Sequence, residues 1–395
     1  MTDATMNDFT VQGASSARPG DEMLPFLNNF HDIFTTIGVF ILFAGLGLGA
    51  GQLYSALDLA SNSLAAEAVL LGLVGGIGLI AWGLSAILVG KQRRILPGIF
   101  LSLAAVGCLG FVLAWLYSRL VVGVVGEAGF EQAFAGFEGM GELSRAEISA
   151  ALADMPLSIR TWPVALALAF TVPVAAYYVS FRLPFAGGLL GVALTSLAVV
   201  IALIIDPYTV IVFNPVVSLA TGLALFLAGI IFDARDPARQ TRLSGTGFWL
   251  HFFAAPTLLG AAITIVNTGW SVSLEDFNEA GMMAGLVAGD DAAALRSAVV
   301  TLIVIGAFAL VSLLINRRAL IVSGLITAGI AMGVVVNQLG LDAAGVAAIT
   351  LLMLGGVVVL LGVAWTPVRR ILTAPFPITG PLARIIPPPV AGVEG

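Results

Sequence analysis

The chain contains few charged residues for its length. Only 10% of its 395 residues are Asp, Glu, Lys or Arg, whereas a soluble protein carries about 25%. Its mean hydropathy is +1.05, and 59% of its residues are hydrophobic. This composition excludes an ordinary soluble globular protein, gives no basis for nucleic-acid binding, and predicts that the lipid bilayer is the main partner of the chain.

Cysteine and histidine are almost absent. The single cysteine, Cys108, lies in an apolar run, so the chain cannot form an internal disulfide or a cysteine metal site. The two histidines, His31 and His251, are isolated from each other and from paired carboxylates. We therefore predict no metal site and no cofactor.

The charged residues leave ten apolar runs between them without any charge. A transmembrane helix needs about 20 consecutive apolar residues, and each run meets that length. The sequence therefore predicts an all-α protein, a polytopic transmembrane helical bundle of about ten spans. The runs cover residues 33–57, 68–90, 95–118, 161–181, 183–205, 207–232, 243–274, 297–316, 319–341 and 343–368.

The Lys and Arg residues favour one side of this bundle. If the N-terminus is cytoplasmic, 13 of them fall on the cytoplasmic side and 4 on the other side. Basic residues concentrate in cytoplasmic loops, and this alternation requires all ten spans. We predict that both termini are cytoplasmic.

The predicted organisation has three parts. Residues 1–32 are polar and turn-rich, which predicts a disordered cytoplasmic segment, and residues 33–370 form the transmembrane domain. Residues 371–395 contain six prolines and predict an extended cytoplasmic tail. A weak parallel repeat, 66–205 and 206–340, is a further hypothesis for the transmembrane domain.

The apolar runs contain small residues that suit helix packing and a few asparagines that could bind a ligand. Three glycine pairs at a spacing of four predict close helix packing: Gly45/Gly49, Gly47/Gly51 and Gly72/Gly76. Because no run contains a charge, a ligand pathway would have to use backbone and amide groups. The candidate groups are Asn214, Asn267 and Asn337, with interhelical hydrogen bonds or helix caps as their alternative roles.

Residues 233–256 form the densest group of functional candidates. His251 lies roughly 10 Å inside the membrane at helical rise, on the same side of its span as several small residues. We therefore predict that His251 faces the bundle and hydrogen-bonds to another helix, as a structural group or as a proton- or ligand-binding group.

The acids of this segment are predicted to pair with its arginines or with neighbouring loops. Arg239 and Arg242 are also predicted to lie near headgroups, where cytoplasmic loops can bind anionic lipid. The candidates are Asp233, Arg235, Asp236, Arg239, Arg242, Trp249 and His251.

The same segment resembles a group of uncharacterised bacterial inner-membrane proteins that carry a DPxRxTRxxxxxFWLHxxAAP-like string. The matching residues here are Asp236, Pro237, Arg239, Thr241, Arg242, Phe248, Trp249, Leu250, His251, Ala254, Ala255 and Pro256. This resemblance implies a multi-pass protein of a bacterial inner (plasma) membrane and assigns no activity.

Three functions remain open from the sequence. The first is a transporter- or permease-like protein without catalytic activity, and the second is a membrane scaffold or sensor subunit that binds protein partners. The third is an intramembrane enzyme that uses His251 and the 233–242 loop. A continuous polar cavity would favour transport, and a dry, tightly packed bundle would favour a scaffold.

Overall fold

The structure is a computed structural model that describes residues 30–58, 63–135, 144–236, 241–272, 291–375 and 386. All regular elements in these ranges are helices. They are α1 (Phe30–Ala56), α2 (Leu64–Ser85) continued by a π-helix (Ala86–Lys91), α3 (Leu96–Val125), α4 (Glu127–Ala135), α5 (Arg145–Asp154), α6 (Leu157–Arg160), α7 (Trp162–Phe181), α8 (Pro184–Ile205), α9 (Pro207–Val212), α10 (Asn214–Arg235), α11 (Arg242–Thr268), α12 (Asp291–Ile315), α13 (Ala319–Asn337) and α14 (Ala343–Thr373).

Nine helices in the described ranges are long and apolar enough to cross a bilayer, namely α1, α2 with its π-helix, α3, α7, α8, α10, α11, α12 and α14. They coincide with nine of the ten charge-free runs, which confirms an all-helical, multi-pass membrane fold. The remaining run, 319–341, contains α13, which has 19 residues. Helix α13 is continuous from Ala319 to Asn337 but is not among the nine. The count of ten spans and the orientation of the termini therefore stay predictions.

The helices extend beyond several charge-free runs, so the prediction that no charged residue lies in a span was wrong. Glu67 lies in α2 and Arg119 in α3, where they form an ion pair of 3.0 Å. Asp233 lies inside α10 and is buried. The reason is that a helix can continue through a charged residue when that charge is paired with a neighbouring helix.

Three other predicted boundaries also change. The run 207–232 is not one helix, because α9 ends at Val212 and Pro215 lies in the first turn of α10. The N-terminal segment, predicted to be disordered over 1–32, is helical from Phe30. The C-terminal tail, predicted to be extended from residue 371, continues α14 to Thr373.

A capping box begins helix α5. The Ser144 side chain accepts a hydrogen bond from the Glu147 backbone N–H, and the Glu147 carboxylate accepts one from the Ser144 backbone N–H. These contacts satisfy backbone donors at the start of α5, which then buries Ile148 and Leu152.

The bundle is organised around α11, which contacts α8, α10, α12 and α13. Helices α2, α3 and α7 form a second group beside it, and α7 packs against α8. Five arginines lie at one end of the bundle, close to the starts of α3, α8, α11 and α13 and to the end of α14. We call this the arginine end, and these residues are Arg94, Arg182, Arg242, Arg317 and Arg369.

The glycine pairs of α1 and α2 do not pack as predicted. A Cβ built at Gly45, Gly49, Gly72 or Gly76 would meet no described atom of another element within 4 Å, and the same holds for Gly47 and Gly51. Glycines from both helices instead line an open apolar cleft of about 490 Å³ between α1 and α2. The glycine spacing permits close approach, but the described residues of this chain leave the space between the helices unfilled.

Candidate functional site

Four polar side chains form a buried cluster near the arginine end. They come from three parts of the chain, and each is less than 9% exposed. We call them the Asp233 cluster; the members are Asp233 in α10, Ser244 and His251 in α11, and Arg317 between α12 and α13.

The carboxylate of Asp233 is the centre of the cluster. Its Oδ2 atom accepts a hydrogen bond from Arg317 Nε at 2.9 Å and lies 3.1 Å from His251 Nε2. Its Oδ1 atom accepts from Arg317 Nη2, and the same Nη2 also donates to Ser244 Oγ at 3.1 Å. The guanidinium is permanently charged, so this two-point contact with Asp233 compensates a cation that solvent does not reach.

Two glycines make room for the cluster. A Cβ at Gly247 would overlap Asp233 Oδ1, and it would also lie 3.2 Å from the Gly229 carbonyl oxygen. A Cβ at Gly229 would lie 2.8–3.0 Å from three atoms of the His251 ring. Because helix positions 229 and 247 lack side chains, α10 and α11 approach closely enough for the Asp233 carboxylate to meet the imidazole.

One nitrogen of His251 has no partner among the described residues. A carboxylate without a proton only accepts hydrogen bonds, so Nε2 carries the ring hydrogen that points at Asp233. The other nitrogen, Nδ1, is buried and makes no hydrogen bond to the described part of the chain. Phe226 packs edge-on against the ring, with centroids 5.0 Å apart. Asp233 therefore orients the imidazole, while Nδ1 retains an unused hydrogen-bonding site.

Two sequence predictions about this cluster are confirmed. His251 is fully buried and interacts with a group on another helix. Asp233 pairs with a neighbouring loop, because Arg317 lies between α12 and α13. Arg317 itself was not predicted, since nothing in the sequence distinguishes it from an arginine that only sets topology.

The other candidate residues of the 233–256 segment are not members of the Asp233 cluster. Arg235 is exposed at the end of α10, and Asp236 accepts two hydrogen bonds from Thr241, at 2.8 and 2.6 Å. Arg242 donates to the Phe181 carbonyl oxygen at 3.2 Å. Trp249 packs against Phe185 of α8. Arg239 lies outside the described residues.

The three candidate asparagines lie away from the arginine end. Asn214 is exposed at the start of α10, and its Oδ1 accepts a hydrogen bond from Ser218 at 3.4 Å. Asn267 near the end of α11 donates to Ser297 of α12 at 3.0 Å, and Asn337 ends α13. No hydrogen bond found among the described residues joins any two of them, so they do not form one polar site.

Two pockets of the described chain differ in their lining: one is the apolar cleft between α1 and α2, and the other is a polar pocket of about 360 Å³ at the arginine end. Neither of these two pockets is a polar path across the bundle. Asp32, Gln92, Arg93 and Arg94 line the polar pocket. The Asp233 cluster borders neither of them.

The chemistry available to the cluster is charge pairing and proton exchange. In an enzyme, Asp233 and His251 would correspond to an orienting carboxylate and a base, which also needs a nucleophile or water within reach of Nδ1. The described side chains supply no such hydroxyl or thiol. Within the same residues, no group of three or more His, Cys, Asp or Glu side chains is placed to hold a metal ion.

Comparison of the chain with protein-family models, curated proteins and solved structures finds no match. The class that the fold itself defines is an all-helical, multi-pass membrane protein.

Proposed function

We propose that the chain is a permease-like protein of a bacterial inner membrane. In this proposal the Asp233 cluster closes the cytoplasmic end of a pathway between α10, α11 and α13. The observation that carries the proposal is the burial of Asp233, His251 and Arg317 inside the bundle. Ionisable groups at such positions are costly to keep in a membrane and typically mark substrate or proton pathways.

The topology that goes with this proposal has ten spans and cytoplasmic termini. Helix α13 supports the tenth span, because its 19 residues would extend about 28 Å at a rise of about 1.5 Å per residue. That length is close to the hydrocarbon thickness of about 30 Å. The ratio of 13 basic residues to 4 supports a cytoplasmic arginine end.

The buried cluster also suggests how such a pathway would close. Asp233 and Arg317 connect α10 to the segment between α12 and α13, and Ser244 joins α11 to the same guanidinium. Separating these elements would expose both charges to water, where each can be solvated. In this proposal the arrangement in the structure corresponds to a closed state, in which the charges of Asp233 and Arg317 are paired and buried.

Thiol labelling tests this proposal. Three buried alanines that face the bundle beyond the cluster are replaced by cysteine one at a time in a Cys108→Ser background: Ala254, Ala261 and Ala331. We expect a membrane-impermeant reagent to modify them from the periplasmic side only. Adding Ser244→Ala, which removes a hydrogen bond from Arg317 but keeps the ion pair, should increase labelling from the cytoplasmic side.

A lipid-facing cysteine provides the control. Leu227 on α10 is 54% exposed on the bundle surface, so a cysteine there faces acyl chains and should not react. If all three interior cysteines stay unreactive from both sides, with and without Ser244→Ala, the bundle is dry and the permease proposal is wrong.

The open cleft between α1 and α2 favours a second candidate, a membrane scaffold or sensor subunit. Glycines on both walls would let a transmembrane helix with small residues approach both backbones closely. This function requires no water-filled path, so unreactive interior cysteines would support it over transport.

A further inference from the structure

The polar pocket at the arginine end is separate from the Asp233 cluster and has a distinctive local backbone. A π-helix covers Ala86–Lys91, and it ends with Gln92 N–H donating to the Ile87 carbonyl at 3.0 Å. Arg93 follows with a φ of 58°, in the left-handed region that residues other than glycine rarely adopt. Short π-helical turns of this kind occur frequently at functional sites.

Arg94 forms a fixed wall of this pocket. Its Nη1 donates to Asp32 Oδ1 at 3.2 Å, to Thr35 Oγ1 at 2.7 Å and to the His31 carbonyl at 3.0 Å. Its Nε donates to Gln92 Oε1 at 2.7 Å. Asp32, the acid that lines the pocket, therefore already compensates the charge of Arg94.

Arg93 lines the same pocket without a comparable partner. Its side chain is exposed and makes no hydrogen bond or ion pair with the described residues. Arg94, by contrast, turns back onto α1. The charge of Arg94 is thus compensated by Asp32, whereas the guanidinium of Arg93 can bind an anion.

A second cation, Arg242 of α11, lies beside the π-helix that leads to Arg93. Arg242 immediately precedes the charge-free run 243–274, and its Nη1 donates to the Phe181 carbonyl at 3.2 Å. The Phe181 ring in turn packs against the π-helix, where it lies 3.8 Å from a Cβ built at Gly90. Burial lowers the pKa of the Arg242 guanidinium, and repulsion from Arg93 lowers it further. Lys91 and Arg182 add positive charge to the same end of the bundle.

We propose that Arg93 and Arg242 together bind a phosphate group, carried by an anionic lipid headgroup or by free phosphate. A guanidinium presents paired N–H donors that match phosphate oxygens, so two of them can hold one phosphate between them. The bound anion removes the repulsion between the two arginines. The arginine end lies at the depth of headgroups in a bundle that spans the bilayer, which makes an anionic lipid accessible to the pocket.

A thermal-shift titration of the full-length protein in a neutral detergent tests the site. Separate titrations use short-chain phosphatidylglycerol, inorganic phosphate, and a diacylglycerol with the same acyl chains but no phosphate, all at constant ionic strength. We expect a saturable rise in melting temperature with phosphatidylglycerol or phosphate and none with diacylglycerol. A response to phosphatidylglycerol alone assigns a lipid headgroup, and a response to phosphate assigns a site that also accepts free phosphate.

Arg93→Gln and Arg370→Gln form the matched pair of variants. Arg93→Gln should weaken the apparent affinity at least tenfold without lowering the melting temperature in the absence of ligand, because Arg93 makes no hydrogen bond or ion pair with the described residues and its repulsion of Arg242 is removed. Arg370 is also an exposed arginine of this end of the bundle, on α14, and Arg370→Gln should bind like the wild type. Equal affinity of Arg93→Gln and the wild type, or no response to either phosphate compound, would overturn the proposal.

Discussion

Replacing Asp233 by asparagine is expected to lower the free energy of unfolding by about 3–5 kcal/mol. The substitution keeps the size of the side chain but removes the negative charge that compensates Arg317. Because Arg317 is only 2% exposed, its charge cannot be solvated instead while the bundle stays folded. Equilibrium unfolding in mixed detergent micelles measures this loss.

Asp58→Asn is the matched control for this substitution. Asp58 is exposed and has a positive φ of 45°, a conformation that asparagine also adopts readily. Its replacement should change the free energy of unfolding by no more than about 0.5 kcal/mol. If Asp233→Asn were as mild as Asp58→Asn, Asp233 and Arg317 would not form a buried ion pair in the membrane.

Replacing Gly247 by alanine should destabilise the bundle by about 1–3 kcal/mol, because it introduces a methyl group where there is no space. The new Cβ would overlap Asp233 Oδ1, so either the carboxylate or α11 must move. Either movement weakens the contacts of Asp233 with Arg317 and His251. The same unfolding measurement gives the size of the effect.

Gly260→Ala separates this steric effect from helix propensity. Gly260 lies in the same helix, and a Cβ there would meet no described atom of another element within 4 Å. Alanine favours a helix over glycine by about 1 kcal/mol, so Gly260→Ala should be neutral or stabilising. Two variants of equal stability would show that α10 and α11 do not approach as closely as the structure indicates.

Helix number and position were largely predictable, because the bilayer demands long uncharged segments and the sequence contains them. The boundaries were not. A span that is assumed to end at its first charged residue stops before Asp233. In the structure Asp233 remains inside α10, because Arg317, 84 positions away in the sequence, compensates its charge.

The candidate site was predictable only where local pattern carries information. His251 shares a helix side with small residues such as Ala254 and Ala255, which indicated that it faces the bundle, and all three are buried. Arg317 has no such pattern, because a basic residue between two spans is already explained by topology. Its role depends on how α10, α11 and α13 pack, which one sequence does not specify.

The glycine pairs had a clear sequence pattern, but the contact that the pattern predicted does not form. Spacing at four residues predicts that a helix surface can approach another backbone closely, but it does not identify the partner. In α1 and α2 the described structure leaves that surface open, so Gly45 and Gly72 line a cleft instead of an interface.

The interaction energy between Asp233 and Arg317 is the most direct test of the central claim that this buried pair joins α10 to the segment between α12 and α13. A double-mutant cycle compares Asp233→Leu, Arg317→Met and the double variant by equilibrium unfolding in mixed micelles. Asp233→Leu leaves the charge of Arg317 without its partner, and Arg317→Met leaves the charge of Asp233 without its partner. The double variant removes both charges. We predict that the double variant is more stable than either single one, with an interaction energy of about 2–3 kcal/mol. Single effects that add to within about 0.5 kcal/mol would contradict it.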